Sequence, residues 1–286
     1  MKTNAIVRIV LFSIAILVLL GILITGLFID MFQFDTSTNG QNLPVAFDGI
    51  TSQGAVDADD IRNLDIEWVS GTITILHDEN TNQITIAETG SENEKDAMVY
   101  SKTGNTLNIQ YCKDSIKFPS FGINVNISKD LFITVPADWS CNELSIDTSS
   151  ADVNIINMKI NEVEFNGASG VCYFENCTVD EISMDSASGD LEFSGVLNNL
   201  EFDGASANVM ITVTNIPNRI DIDSASGDLE LYLPENCGFT CELTSLSGDF
   251  ESNFDTVTRK GTHVHGDGSC KITVDAMSGN VSIYKQ

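Results

Sequence analysis

Basic residues are scarce in this chain. Its 286 residues carry 14 Lys and Arg against 41 Asp and Glu, for a formal net charge of −27 at pH 7. Lys2 and Arg8 precede the first acidic residue, Asp30, so the rest of the chain is more acidic still. Such a surface repels phosphate backbones and anionic lipid and excludes nucleic acid as a partner, while favouring solubility, cations and basic partners. Aromatic residues are few, at 8%, which argues against a polysaccharide-cleaving groove lined with aromatic and basic side chains. No Cys-x-x-Cys pair occurs among the seven cysteines, so redox and zinc roles have little support. No segment after residue 30 has a 3.6-residue apolar period, so no amphipathic helix is expected there.

What the chain does have is a six-residue segment that recurs seven times. It reads Asp147-Thr-Ser-Ser-Ala-Asp152, Asn166-Gly-Ala-Ser-Gly-Val171, Asp185-Ser-Ala-Ser-Gly-Asp190 and Asp203-Gly-Ala-Ser-Ala-Asn208. It continues as Asp223-Ser-Ala-Ser-Gly-Asp228, Thr244-Ser-Leu-Ser-Gly-Asp249 and Asp275-Ala-Met-Ser-Gly-Asn280, with a looser copy at Glu67-Trp-Val-Ser-Gly-Thr72. Successive starts from Asp147 to Thr244 lie 18 to 21 residues apart. A fixed period of this size marks stacked supersecondary units, none of which can bury its own apolar face.

Each unit has the same grammar. A strictly alternating segment such as Ile220-Asp-Ile-Asp223 leads into the small-residue turn, and a second one, Asp228-Leu-Glu-Leu-Tyr-Leu233, leads out. Alternation over four to six residues predicts a strand with one buried face. The expected fold is therefore all-β: a β-solenoid or β-helix-like stack of about 20-residue repeats with parallel rungs from Leu144 to Ile283. Ile146, Ile182, Ile220 and Ile272 are expected on the buried face. Gly at the fifth turn position reads as a close approach by a neighbouring backbone, since Ala151 and Ala207 show that a methyl fits in two units.

Further strands are expected upstream in 64–68, 72–76, 83–87, 98–100, 106–111 and 131–135, and Pro136 and Pro234 close strands because proline lacks the ladder donor. Residues 9–29 form an uncharged run long enough, at about 1.5 Å per residue, for a bilayer core. The run exceeds the apolar core of a cleaved signal peptide and lacks an Ala-x-Ala end. The expected organisation is a cytoplasmic tail at 1–8, one N-terminal transmembrane helix at 9–29, a juxtamembrane linker at 30–60 and a β-repeat ectodomain at 61–286. Lys2 and Arg8 set the orientation, N-terminus inside, with the ectodomain extracellular. Residues 251–270 lengthen one repeat and read as a loop or an extra hairpin emerging from the stack.

With its Ser70-Gly71 opening, its strand from Leu131 to Pro136 and its recurring Ser-Gly-Asp turns, the chain resembles the bacterial β-strand-repeat family of putative adhesins of unknown function. The resemblance covers about residues 61–286. It implies a β-solenoid-like ectodomain on a bacterial envelope, in a family whose members often accompany envelope-stress or membrane-regulatory systems and which carries no established catalytic residues. The many cysteines and the 251–270 insertion depart from the plainest family pattern.

Two Asp columns are the first candidates for chemistry: position one (Asp147, Asp185, Asp203, Asp223, Asp275) and position six (Asp152, Asp190, Asp228, Asp249). Rungs about 4.8 Å apart would stack these carboxylates. The local reading is a turn cap, each side chain accepting from backbone N–H groups two or three residues on, which explains why Asn and Thr substitute. The rival reading is calcium held between rungs through Asp185, Asp190, Asp223 and Asp228, but the Gly-Gly-x-Gly-x-Asp nonapeptide of calcium β-rolls is missing. A Ser repeated in every unit, Ser150 through Ser278, is a structural ladder, not a nucleophile. His263 and His265 share a strand face with Asp267 and Cys270 nearby, a set zinc or copper could use, although no defined ligand spacing is met. Cys172 and Cys241 occupy apolar columns as core thiols. Cys112, Cys141, Cys177, Cys237 and Cys270 fall outside them and leave room for one or two disulfides in an exported domain.

The sequence thus points to a non-enzymatic, membrane-anchored extracellular protein, an adhesin or an envelope interaction scaffold. Its partners would be the membrane through residues 9–29 and an envelope protein or polysaccharide. Two rivals stand beside it: a carbohydrate-active enzyme or polysaccharide binder on a β-helix, and a regulatory subunit of a membrane envelope-stress sensor.

Overall fold

The computed structural model describes residues 41–42, 46–47, 51–79, 81–91, 94, 96–112 and 128–286. Residues 9–29, read as a transmembrane helix, lie outside the described residues, and no helix among the described residues is long and apolar enough to cross a membrane. The strands are β1 (Gln41–Asn42), β2 (Ala46–Phe47), β3 (Thr51–Asp57), β4 (Asn63–Asp78), β5 (Gln83–Thr89), β6 (Val99–Thr103), β7 (Thr106–Gln110), β8 (Asp130–Pro136), β9 (Cys141–Ile156) and β10 (Lys159–Ser206). They continue as β11 (Val209–Val213), β12 (Arg219–Ser226), β13 (Leu229–Leu233), β14 (Phe239–Ser247), β15 (Phe250–Ser252), β16 (Val257–Arg259), β17 (Thr262–His265), β18 (Cys270–Ser278) and β19 (Val281–Lys285). A single 3-10 turn, Ala58–Asp60, separates β3 from β4.

The centre follows the expected parallel register. Leu144 pairs with Val163 and Ile146 with Phe165, then Leu200 with Ile220 and Phe202 with Ile222. Because side chains alternate across a strand, register-paired residues line up in columns. Ile146, Ile182, Ile220 and Ile272 all lie in the core. Past the turn, Val153 pairs with Cys172, Leu191 with Val209 and Val209 with Leu229, which places Cys172 in the second apolar column. At the fifth turn position a Cβ on Gly227 would overlap the carbonyl oxygen of Ala207, one rung away, while the φ of +139° there also excludes most side chains.

The two ends depart from sequential stacking. β18 pairs with β12 on one side and β14 on the other, so the last rung of the sequence lies between the two that precede it. At the opposite end β4 lies between β9 and the rung formed by β7 and β8. Antiparallel strands then cover both outer rungs: β5 and β6 pair with β8 and β7, and β17 pairs with β14 and carries β16. The 251–270 insertion therefore does not emerge from the stack. It folds over its terminal rung, since open parallel edges invite pairing with other chains. Residues 51–57, within the stretch read as linker, form a strand paired along its length with β5. Pro136 and Pro234 follow the expected logic, and the carbonyl of each accepts the N–H of a residue three positions on, Trp139 and Cys237.

Candidate functional site: two side-chain ladders and a buried ion pair

The sixth-position residues form a hydrogen-bonded ladder between rungs. Asp152 Oδ1 accepts from Val171 N at 2.9 Å, Asp190 Oδ1 from Asn208 N at 2.7 Å and Asn208 Oδ1 from Asp228 N at 3.3 Å. Asp228 Oδ1 accepts from Asn280 N at 2.8 Å, and Asn280 Oδ1 from Asp249 N at 3.1 Å. This corrects the local turn-cap reading for these residues: the donor lies in the neighbouring rung, not two or three residues along the chain. The reason is geometric. In a parallel stack the corner N–H of one rung faces the corner side chain of the next, and the short Asp or Asn arm spans that gap. Val171 has no acceptor to pass on, so the ladder breaks there.

The first-position carboxylates stack differently. Glu67 pairs in register with Asp147, Asp203 with Asp223 and Asp223 with Asp275, like charge on like charge. Burial, reinforced by neighbouring carboxylates, raises Asp203 to about 6, and burial with Asp65 and Asp147 nearby raises Glu67 to about 7. Burial and Asp147 lift Asp65 to about 6, and burial is the first cause of the raised values of Asp147, Asp185 and Asp223 as well. At the upstream end this column opens into a cavity of about 430 Å³ lined by Asn63, Leu64, Asp65, Glu67, Thr103, Thr106, Asn108, Glu143, Ser145 and Asp147, with no basic side chain. Such a surface can take up protons and attract cations.

Of the six candidate metal ligands, Asp185 and Asp223 belong to the repelling column, and Asp190 and Asp228 to the hydrogen-bonded ladder across the corner, so the four do not converge. His263 stacks on Phe250 with ring centroids 3.7 Å apart, and its Nδ1 lies 3.0 Å from Thr258 Oγ1. His265 packs against Phe239 and Phe254, with Nδ1 2.8 Å from Asp255 O. Among the described residues no group of three or more His, Cys, Asp or Glu is placed to hold a metal ion.

A third constellation was not anticipated. Lys129 and Glu88 are both fully buried and pair at 2.7 Å beneath the upstream cap. Glu88 also accepts from Ser52 Oγ at 2.5 Å, Ser91 Oγ at 2.6 Å and Met98 N at 2.7 Å. Lys129 donates to Asp96 O at 2.6 Å and to Tyr111 O, and its ammonium sits 3.9 Å from the Tyr111 ring centroid and 5.0 Å from that of Trp68. The signal was present in the alternation. Glu88 continues the inward phase of Ile84 and Ile86, and Lys129 that of Leu131 and Ile133. Two inward charges of opposite sign in neighbouring strands are a pair waiting to be matched.

A parallel β-solenoid with covered ends is the class these features define. Residues 61–284 match the family model described as Toastrack DUF4097, and the chain belongs to that family. Similar solved structures include a putative cell adhesion protein from Clostridium sporogenes ATCC 15579, at 14% identity and TM-score 0.42, covering 82% of this chain and 99% of that one. Another is a putative adhesin from Bacteroides fragilis NCTC 9343, at 13% identity and TM-score 0.42, with 82% and 97% covered. A third is a putative lipid binding protein from Parabacteroides distasonis ATCC 8503, at 16% identity and TM-score 0.36, with 84% and 98% covered. No curated protein matches the chain.

Proposed function

We propose that this protein is a non-enzymatic surface module, held to the membrane by residues 9–29 and presenting its acidic solenoid outside the cell as an adhesin or envelope interaction scaffold. One observation carries the reading: polar side chains at the corner are repeated from rung to rung instead of converging on a single reacting point. Catalysis needs a nucleophile, a base and an orienting group brought together once. A repeated edge instead offers an extended surface, as solenoids do. In this reading the long uncharged N-terminal run is the anchor.

The test uses the full chain in its native membrane. Added protease should remove the 61–286 region from intact cells while the N-terminal fragment stays in the membrane fraction, and cells carrying the chain should adhere to matrix-coated or polysaccharide-coated surfaces more than cells lacking it. A solenoid protected from protease, or equal adhesion by both cell types, would overturn the proposal.

A further inference from the structure

The downstream end holds a pair of thiols with a specific geometry. Cys237 sits at the end of the turn that follows Pro234, and Cys270 opens β18; both are buried. The Cys270 N–H donates to Gly238 O at 3.0 Å, and Cys270 is the register partner of Phe239, two residues beyond Cys237. Backbone pairing thus brings the two residues together: Cys237 Sγ lies 3.6 Å from Gly238 O, the same carbonyl that accepts the Cys270 N–H, and both thiols are free. The other buried cysteines differ. Cys172 fills a core column, and Cys141 and Cys241 are pushed up to about 12 by burial. The cover over the pair is thin, because Glu235, Asn236, Asp267 and Ser269 are exposed.

We infer that Cys237 and Cys270 form a disulfide when the chain folds in the presence of a low-molecular-weight disulfide, stapling the entry of β14 to the entry of β18. The exchange is balanced. The Cys237 thiolate attacks the oxidant and releases one thiol, and the Cys270 thiolate then attacks the mixed disulfide and releases the second. The protein loses two hydrogens and the oxidant gains them. The neighbouring Cys270 thiol lowers that of Cys237, and Cys237 in turn raises that of Cys270, which makes Cys237 the first nucleophile. The bond closes the loop of residues 238–269, which contains β14 and the covering hairpin of β16 and β17. It therefore ties down the segment that fastens the swapped rungs.

The experiment refolds the full chain in detergent with glutathione disulfide and glutathione, alkylates the remaining thiols and maps peptides by mass spectrometry without reduction. The expected product is a peptide linking Cys237 to Cys270, with Tm raised by about 5–10 °C over the reduced chain and returned by dithiothreitol. A Cys237→Ala variant should refold, show no such linkage and lose the redox-dependent shift. Alkylation of both residues in refolded wild-type chain, or linkage of Cys270 to Cys241, would overturn the pairing. A linked product with no change in Tm would overturn the staple.

Discussion

The middle of the solenoid and its two ends are built by different rules. In the middle, chain order and spatial order coincide, and stability rests on apolar columns from Leu144 and Ile146 through Val163 and Phe165 to Ile220 and Ile222. At the ends the order is exchanged, antiparallel strands cover the outer rungs, and polar or aromatic clusters are added to the apolar columns, which themselves continue. One end has Lys129 with Glu88, and the other has His263 and His265 among Phe239, Phe250 and Phe254. A repeat stacked only on its neighbours needs no special residues, whereas a terminal rung has to hide an edge, and that requires local, unrepeated chemistry.

The sharpest way to break the middle is Ile220→Asp. It places an unpaired carboxylate in an apolar column with no donor or cation to satisfy it, costing several kcal/mol, and should abolish cooperative unfolding by circular dichroism. A soluble variant that melts cooperatively would refute the register. At the upstream end, Lys129→Met should cost about 3–5 kcal/mol in urea unfolding, because it strands the Glu88 carboxylate in the core. Adding Glu88→Gln should recover part of that loss, since the amide oxygen still accepts from Ser52, Ser91 and Met98. A double variant as unstable as the single one would show that the charge is not what matters.

The repelling column makes the stack pH-sensitive in an unusual direction. Folded-state values of about 6 for Asp65 and Asp203 and about 7 for Glu67 lie above the unfolded carboxylate range, so the folded state binds protons more tightly. Stability should rise as pH falls through about 7 towards about 4, by roughly 1–3 kcal/mol in sum after discounting solvent screening. Asp203→Asn should flatten that rise, and a wild-type Tm that falls between pH 7.5 and 5.5 would contradict the sign. Smaller effects belong to the hydrogen-bonded ladder. Asp152→Ala in the sequential part and Asp228→Ala beside the exchanged rungs should each cost about 1 kcal/mol, with Asp228 costing more because it also accepts from Asn280 Nδ2 at 3.1 Å. Equal melting of both variants and wild type would remove the ladder as a source of stability. Smallest of all is divalent removal: a chelator should move Tm no more than a matched monovalent salt does, because Asp185, Asp190, Asp223 and Asp228 do not converge. A calcium-specific rise would revive the cation reading.

Much of the middle was legible because alternation and a fixed period report directly on which residues face inward. Cys172 and Cys241 could be placed in their columns from spacing alone. The exchange of rungs was not legible, because every unit presents the same corner and any one could stack on any other. The lone hint was the interval from Thr244 to Asp275, longer than the 18 to 21 residues elsewhere. The Asp ladders were visible as columns, yet the partner of each oxygen was not, since an N–H two residues away and one in the next rung look alike in a sequence. Glu88 and Lys129 carry their signal only in their phase, which matches that of the inward-facing Ile84 and Leu131, since a charge in that phase looks the same in sequence whether or not a partner waits for it.

The exchanged rungs also impose a schedule on assembly. A chain emerging N-terminus first delivers β14 and β15 before β18 and β19 exist, although the surface on which β14 rests in the parallel ladder is β18. The rung of β14 and β15 must therefore wait, unpaired on that side, until β18 and β19 arrive and slide between it and β12. Truncation within 270–286 would leave β12 and β14 without their shared neighbour, so this stretch locks the rungs on either side of it. Contacts that reach so far along the sequence are slow to form, which makes insertion of β18 between β12 and β14, not nucleation of the regular centre, the step expected to time this part of the fold.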